Sequence, residues 1–321
     1  MIIFKSRFAI DILSMLDYRE ALGYSRQSYE KKLLNFDRYC VANYPDVEIL
    51  SKDMVIGWLE EQHSDLLGKS TAIRLLGKYI IAIGKESYIL YDKYVSGPAN
   101  SSAHIFTDDE LAALFVAIDT VKNSKDEPFL SEIAPVLYRL IYTCGLRPNE
   151  GRELKCENIN FKTGEILITN TKRKKERLVV MSNDMVTLCR EYAKRREVFA
   201  KDNEFFFPSW SGGALRNHQV SYCFKNCWIR ANSNITTKSE LPSVRVYDLR
   251  HRFASAILNR WLDNGASIGV KLPYLRAYMG HSSLSETAYY IHILPENLVK
   301  SAGIDWDAFD EVVPEVTIWE E

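Results

Sequence analysis

The chain has 321 residues, of which 46% are hydrophobic and 26% are charged, and its formal net charge is −1. This composition is ordinary for a globular protein, and the length favours two domains. No stretch approaches the ~20 apolar residues that a membrane-spanning helix needs, so a membrane protein is not expected. The N-terminus lacks a signal-peptide pattern and the six cysteines are scattered. We therefore expect a cytoplasmic protein with reduced thiols.

The near-zero net charge conceals an uneven distribution. Residues 302–321 contain seven acidic side chains and no lysine or arginine, so the rest of the chain carries a net charge of +6. The run TKRKKER (171–177) adds five bases against one acid. A basic body with an acidic tail is compatible with nucleic-acid binding.

The first 94 residues are predicted to be helical. Residues 25–42 carry apolar side chains at the spacing of an amphipathic helix, and so do the residues after Ser51 and those from 70 to 83. The segment VSGPANSSAH (95–104), rich in Gly, Pro, Ser and Asn, predicts a linker, which we place at 95–105. A further helix is expected after Thr107, where TDDE resembles a capping box.

The remainder predicts a mainly α fold with a small antiparallel β-sheet. Residues 130–144 form an amphipathic helical pattern, and helices return from residue 185 onward. Between them, residues 158–180 contain short β-prone runs separated by a Lys-Thr-Gly turn and by the basic run 171–177. The second part of the chain is therefore expected to be a separate mixed domain.

Four short segments carry residue types suited to chemistry. They are CGLRPNE (144–150), TKRKKER (171–177), YDLRHRF (247–253) and GHSSLSETAYYIH (280–292). Each has an ordinary interpretation when taken singly: a surface arginine paired with a glutamate, a solvated turn, an amphipathic helix and a pair of packing tyrosines. In the third segment, Leu249, Phe253 and Ile257 are expected to face the core, with Arg250 and His251 on or near the opposite side.

Taken together and in this order, the four segments resemble the tyrosine recombinase family, the phage-type integrases. The family pattern is a TGLR-x-x-E turn, a lysine in a β-hairpin, an H-x-L-R-H box and an LGHSS box, with a tyrosine nine residues after the last histidine. The resemblance covers roughly 106–295 and implies a helical core-binding domain at 1–94 followed by the catalytic domain. The matching residues are Arg147, Lys172, Arg250, His281 and Tyr290.

One position departs from the family pattern. The H-x-L-R-H box begins here with Tyr247 instead of histidine. A phenol can donate a hydrogen bond to a phosphate oxygen, but it is a poor base at neutral pH. If the family's histidine acts mainly as a donor, Tyr247 can take its place; if a base is needed, another group must supply it.

The resemblance also implies the reaction. Tyr290 would attack a DNA phosphate and form a 3′-phosphotyrosyl bond, while Arg147 and Arg250 clamp the two non-bridging oxygens. His281 would add a third donor, and Lys172 would protonate the leaving oxygen as general acid. No metal and no cofactor would be needed.

Binding to double-stranded DNA is expected to involve further basic side chains and both domains. The candidates for contacts with the DNA backbone are Arg74, Lys78, Arg173, Lys174, Lys175 and Arg177. The two domains would close around the duplex, which predicts steep salt dependence of binding. The acidic tail at 296–321 is either a frayed terminus or a segment that docks, in cis or in trans, within a homo-tetramer on DNA.

Two other functions share these residues. A type IB topoisomerase uses the same nucleophile and paired arginines, although the small helical first domain and the spacing from GHSS to tyrosine favour a recombinase. A catalytically inactive DNA-binding protein on the same fold is the other alternative, and the change at Tyr247 would be its first sign. We expect a recombinase of a mobile genetic element.

Overall fold

A computed structural model describes residues 3–92, 94–95, 103–169, 176–233 and 241–292, with residues 291 and 292 described by their backbone only. The described chain divides into two compact units. One contains the residues up to Val95, and the other contains those from Ala103 onward. Most of the predicted linker and all of the acidic tail lie outside the described residues.

The first unit is helical throughout its described length, apart from connecting segments. Its helices α1 to α4 span Ala9–Ala21, Gln27–Asn43, Lys52–Glu60 and Leu66–Ala82. Their apolar faces meet in one core, in which Phe36 packs edge-on against Trp58 with ring centroids 5.1 Å apart. The indole of Trp58 donates a hydrogen bond to Asn35 Oδ1 at 2.9 Å, which satisfies its polar atom at the edge of that core.

The helix boundaries of this unit follow the sequence pattern closely at α2 and α3. Ser51 is the N-cap of α3, because its side chain accepts a hydrogen bond from the backbone N–H of Met54. At α4, however, the helix begins at Leu66 and not at Ser70. Ser70 is fully buried inside the helix, where its hydroxyl cannot act as a cap.

The second unit contains the remaining described elements. Its helices are α5 (Asp108–Asp119), α6 (Leu130–Thr143), α7 (Pro148–Arg152), α8 (Asn183–Ala200), α9 (Asn217–Ala231), α10 (Val246–Asp263), α11 (Ile268–Met279) and α12 (Leu284–His292). Its strands are β1 (Ile159–Asn160), β2 (Glu165–Ile168) and β3 (Arg177–Val180). The expected capping box is confirmed at α5, where Thr107 accepts from the Glu110 N–H and Glu110 accepts from the Thr107 N–H.

The strands form one antiparallel sheet in the order β1-β2-β3. Ile166 pairs with Val179 across β2 and β3, and both side chains are fully buried. The predicted fold class, mainly α with a small antiparallel sheet, is therefore confirmed. The tip of the hairpin between β2 and β3, residues 170–175, lies outside the described residues.

Two hydrophobic clusters hold the second unit together. The larger cluster surrounds α6, whose buried side chains run along one face from Ile133 to Ile141. The smaller cluster is formed by α10, α11 and α12 and includes Leu258, Met279 and Tyr290. It fixes the positions of the segments that carry Tyr247, Arg250, His281 and Tyr290. No helix in the described part of the chain is long and apolar enough to cross a membrane.

Candidate active site

Arg147 lies in the tight turn between α6 and α7. Gly145 makes this turn with φ of +60°, and a Cβ at that position would overlap the ring of Phe253. Pro148 occupies the first turn of α7, which leaves Arg147 in extended backbone as its N-cap. The guanidinium is thereby carried by two rigid elements. Its Nη1 donates to Glu150 at 2.8 Å, and its backbone N–H donates to the same carboxylate at 2.8 Å.

Glu150 is a buried carboxylate shared by arginines. Besides Arg147, it receives two hydrogen bonds from Arg177, at 2.9 and 2.7 Å, and Arg250 Nη1 lies 4.0 Å away. Burial alone would raise the pKa of Glu150, but the hydrogen bonds and charges of Arg177 and Arg147 outweigh it and lower the pKa to about 2. Glu150 is therefore ionised at neutral pH and fixes the arginines around it.

Arg250 is fully buried near the start of α10. Its Nη1 donates to the Gly145 carbonyl at 2.6 Å and its Nη2 to the Met279 carbonyl at 2.6 Å, while Nε has no hydrogen-bond partner among the described residues. Burial and the nearby charge of Arg147 lower the pKa of Arg250 from its usual value of 12.5. The expectation that Arg250 and His251 lie away from the core is wrong, since His251 is only 8% exposed.

Three arginines meet three consecutive carbonyl groups at the C-terminal end of α11. Arg177 Nε donates to the Tyr278 carbonyl at 2.8 Å, Arg250 to that of Met279, and Arg147 Nη2 to that of Gly280 at 2.7 Å. The last carbonyls of a helix lack partners within the helix and carry its negative partial charge. This end of α11 therefore gathers both predicted phosphate-binding arginines in one place.

His281 follows directly, because Gly280 ends α11 in the left-handed conformation. His281 Nε2 lies 3.0 Å from Arg250 Nη2, and its Nδ1 lies 2.8 Å from the Thr287 hydroxyl. A guanidinium can only donate, so Nε2 accepts and Nδ1 carries the proton. Burial and the charges of Arg250 and Arg147 lower the pKa of His281 to about 3, so the ring is neutral at pH 7. In this arrangement His281 is an acceptor for Arg250, whereas the sequence interpretation made it a phosphate donor.

The adjacent tyrosines of α12 differ in their surroundings. Tyr290 is 2% exposed, whereas Tyr289 is 45% exposed. The Tyr290 ring stacks on His281 with centroids 5.8 Å apart and lies 5.3 Å from His251. Burial raises the pKa of Tyr290 to about 12, although the positive charge of Arg250 acts in the opposite direction. Tyr290 is thus the tyrosine held among the other predicted site residues.

A cleft of about 410 Å³ opens beside Tyr290. It is lined by Tyr247, His251, His281, Ser285, Glu286, Tyr289 and Tyr290. Tyr247 is half-buried, and its ring meets His251 edge-on at 4.9 Å. The start of α10 that carries both residues is held by Asp248, which accepts from the Arg245 backbone N–H at 2.7 Å.

The structure brings together Arg147, Arg250, His281, Tyr290 and Tyr247. Lys172, the predicted general acid, lies outside the described residues. Within the described residues, no group of three or more His, Cys, Asp or Glu side chains could hold a metal ion. Sequence reasoning missed that Arg177 and His251 lie at this site, although both stand inside the segments that carry the resemblance; Arg177 ends the basic run and His251 directly follows Arg250.

The described side chains among the predicted DNA contacts lie in different surroundings. Lys78 is exposed on α4. Arg74, in contrast, donates to the carbonyls of Leu90, Tyr91 and Asp92 and pairs with the Asp92 carboxylate at 2.9 Å. Arg177 is directed into the interior ion pair with Glu150, with 9% of its side chain exposed. Both arginines are therefore occupied by contacts within the protein, and their role in DNA binding stays a prediction.

The remaining candidates, Arg173, Lys174 and Lys175, belong to the hairpin tip outside the described residues. Their contribution to DNA binding stays a prediction.

Comparison with known protein sequences gives one family. The profile of the phage integrase family matches residues 105–297. A Sinorhizobium fredii protein named as a putative integrase/recombinase, y4rE, is 27% identical over 284 residues, covering 86% of this chain and 88% of that protein. The tyrosine recombinase XerC of Staphylococcus aureus is 21% identical over 286 residues, covering 85% of this chain and 87% of XerC.

Solved structures with the same fold include two recombinases bound to DNA. The site-specific recombinase XerH on a palindromic difH substrate has a TM-score of 0.60 at 21% identity, covering 88% of this chain and 80% of that chain. The Tn1549 transposon integrase in complex with transposon right end DNA has a TM-score of 0.63 at 13% identity, covering 90% and 98%.

Proposed function

The chain belongs to the phage integrase family of tyrosine recombinases, which makes it a site-specific DNA recombinase, and we propose that it breaks and rejoins DNA through a 3′-phosphotyrosyl bond at Tyr290. The observation that carries this proposal is the convergence of Arg147, Arg250, His281 and Tyr290, which come from separate segments, around the end of α11. Two neighbouring guanidiniums beside a buried phenol form a site suited to a phosphodiester.

The proposed cleavage step exchanges one ester for another. The Tyr290 oxygen attacks the scissile phosphorus, the bond to the 5′-oxygen breaks, and Lys172 delivers a proton to that oxygen. Arg147 and Arg250 neutralise the charge that grows on the non-bridging oxygens. Because the phosphate remains esterified to the enzyme, rejoining by another 5′-hydroxyl needs no external energy source.

We propose that this chemistry requires neither a metal ion nor a cofactor. In metal-dependent enzymes, a divalent cation neutralises charge and its bound water supplies a proton. Here the guanidiniums would neutralise the charge and a lysine ammonium would supply the proton. Tyr247 would donate its hydroxyl hydrogen bond to a phosphate oxygen once DNA is bound.

Access to the phosphate requires a local rearrangement in this account. Arg250 is fully buried and Tyr290 nearly so, and carbonyls occupy Nη1 and Nη2 of Arg250 and Nη2 of Arg147. We propose that α12 and the turn before it shift when DNA binds, so that phosphate oxygens replace carbonyl oxygens as acceptors. Until then, the carbonyls of Gly145, Met279 and Gly280 keep the guanidiniums in position.

The family assignment supports a proposal for the wider assembly. We propose that residues 1–94 form a helical core-binding domain that adds contacts to the duplex bound by the catalytic domain, 106–295. Four copies would act together on two DNA sites, with residues 296–321 docking between or within subunits. The likeness in fold to an integrase of the transposon Tn1549 supports a role in a mobile genetic element.

The test is to trap the covalent intermediate. A binding site is first selected from random duplexes, and a nick is then placed close to the cleavage position so that the freed fragment diffuses away. The intact protein is expected to accumulate a DNA adduct that survives denaturation. Tyr290→Phe should abolish the adduct, whereas Tyr289→Phe, which removes the neighbouring hydroxyl, should keep it.

Two outcomes would contradict the proposal. One is an adduct of undiminished yield in Tyr290→Phe. The other is the absence of any adduct on a tightly bound site, which would favour an inactive DNA-binding protein. Relaxation of supercoiled plasmid that lacks the selected site would instead favour a topoisomerase.

A further inference from the structure

The Tyr290 hydroxyl, the nucleophile of the proposed reaction, must lose its proton when it attacks phosphorus. Burial raises the pKa of Tyr290 to about 12, so the phenol is protonated at neutral pH. A neutral phenol is a weak nucleophile, and a neighbouring group has to take up the proton as the O–P bond forms. Tyr247 stands where the family pattern has a histidine, and a second phenol cannot serve as an effective base.

His251 is positioned to meet this need. It follows Tyr247 by one helical turn on α10, so both rings lie on the same face, with centroids 4.9 Å apart. The His251 ring is also 5.3 Å from that of Tyr290 and lines the same cleft. Its Nδ1 is buried and has no hydrogen-bond partner in the part of the chain that the structure describes.

The other histidine of the cleft is already committed. His281 Nε2 accepts from Arg250, and its Nδ1 donates to Thr287. Both nitrogens are therefore in use, and a proton added to Nε2 would face the Arg250 guanidinium. Among the described side chains that line the cleft, His251 is the remaining imidazole.

We propose that His251 is the catalytic base that receives the Tyr290 hydroxyl proton during strand cleavage, an inference that rests on the proposed function. The O–H bond of Tyr290 breaks as its oxygen bonds to phosphorus, and the proton moves to the His251 imidazole directly or through one water. The P–O5′ bond breaks, and the 5′-oxygen takes its proton from Lys172. Rejoining runs these transfers in reverse, so His251 returns its proton to Tyr290 and neither proton nor electron is left over.

The electrostatics of the cleft agree with this role. Burial, together with the charges of Arg245 and Arg250 beside it, lowers the pKa of His251 to about 4, so its lone pair is free at neutral pH. From α12, the phenols of Tyr289 and Tyr290 face it, and Glu286 lines the same cleft. A bound phosphodiester would bring a negative charge beside the ring, which raises its affinity for a proton when attack begins.

The experiment measures single-turnover adduct formation on the nicked duplex. His251→Gln is expected to slow cleavage about 100-fold or more. The matched control is His218→Gln, which changes an exposed histidine on α9 and should leave the rate unchanged. The double variant Tyr247→His/His251→Gln returns an imidazole one turn earlier and should recover at least part of the lost rate.

A second substrate separates the base from the acid. When sulfur replaces the bridging 5′-oxygen, the leaving group departs without a proton. Lys172→Ala should therefore recover on this substrate, whereas His251→Gln should stay slow. Two results would overturn the proposal. One is a His251→Gln cleavage rate within about threefold of the parent rate; the other is a His251→Gln variant that recovers on the sulfur substrate as fully as Lys172→Ala does.

The pH dependence of cleavage by the parent protein tests the inference even if His251→Gln fails to fold. Its cleavage rate should rise with pH through one ionisation below neutrality and then level off. A rate that rises tenfold per pH unit up to pH ~9 would mean that the phenol ionises directly. That result would overturn the assignment of His251 as the catalytic base. If the parent forms no adduct at all, the proposed function fails; if it forms one that His251→Gln does not affect, only this inference fails.

Discussion

Arg147 and Arg250 donate hydrogen bonds to the carbonyl oxygens of two consecutive residues, Gly280 and Met279, at 2.7 and 2.6 Å. Arg147 lies in the turn before α7 and Arg250 lies in α10, and the Glu150 carboxylate is within 4.0 Å of both guanidiniums. The end of α11 therefore places two permanent positive charges side by side, which is the arrangement that two non-bridging phosphate oxygens require.

Arg147→Lys should slow strand cleavage about 100-fold. Lysine keeps the charge but loses the planar fork that binds a carboxylate and a second acceptor together. The protein should remain folded, since the side chain is 28% exposed. Single-turnover adduct formation on the nicked site measures the effect. Arg216→Lys, which changes the exposed N-cap arginine of α9, is the control, and an equal loss in both variants would contradict a specific role.

The variant Arg177→Lys tests whether Arg177 positions neighbouring side chains or contacts a DNA phosphate. The change removes the paired hydrogen bonds to Glu150 and the bond to the Tyr278 carbonyl, so we expect a loss of about 1–3 kcal/mol in unfolding free energy and roughly tenfold slower cleavage. The salt dependence of DNA binding should not change, because no phosphate contact is lost. Equilibrium unfolding and binding titrations test this, with Arg190→Lys, an exposed position on α8, as control. A salt slope reduced by about one unit would instead support the phosphate contact.

The pH dependence of stability should report His251 and His281, because the pKa of each is lowered in the folded protein. Burial lowers the pKa of His251 to about 4 and that of His281 to about 3, from the usual 6.5. Below pH 6.5 the unfolded chain binds protons that the folded protein does not, so stability falls as the pH falls toward 4. Each histidine contributes a slope of up to about 1.4 kcal/mol per pH unit.

Urea unfolding between pH 7 and pH 5 measures this slope. Replacing His281 with asparagine should reduce the slope of unfolding free energy against pH by the contribution of one histidine. A slope identical to that of the parent would show that folding does not lower the pKa of His281.

Gly145→Ala should destabilise the protein more than Gly265→Ala. Both glycines have positive φ, +60° and +66°, so both alanine variants carry a backbone cost of about 1 kcal/mol. Only at Gly145 would the new Cβ also overlap a side chain, the ring of Phe253, which adds about 1–3 kcal/mol. Thermal and urea unfolding give the difference, and equal costs at the two positions would contradict the close packing of this turn.

Local patterns in the sequence predicted much of the fold and site. Apolar spacing found α2 and α6 to within two residues, and the TDDE motif predicted the start of α5. The family resemblance selected Tyr290 over Tyr289, and Tyr290 is the one held beside Arg250. The predictions of α2, α5 and α6 succeed because each depends on neighbouring residues or on spacing along the chain.

Partners from distant segments explain most of the errors. Arg177 appeared to be part of a solvated basic run, but Glu150 and the Tyr278 carbonyl, far away in sequence, draw it inside. Arg74 is similarly taken by carbonyls at 90–92. Helical periodicity places Arg250 and His251 away from the apolar face of α10, yet the turn at Gly145 and the end of α11 cover that side too.

Peptide mapping of the trapped adduct shows which side chain forms the bond to DNA. The adduct is digested with nuclease and trypsin, and the modified peptide is sequenced by mass spectrometry. We expect a nucleotide remnant on Tyr290, in the peptide that follows Arg276. A remnant on Tyr289, on Tyr247 or on any other side chain would contradict it.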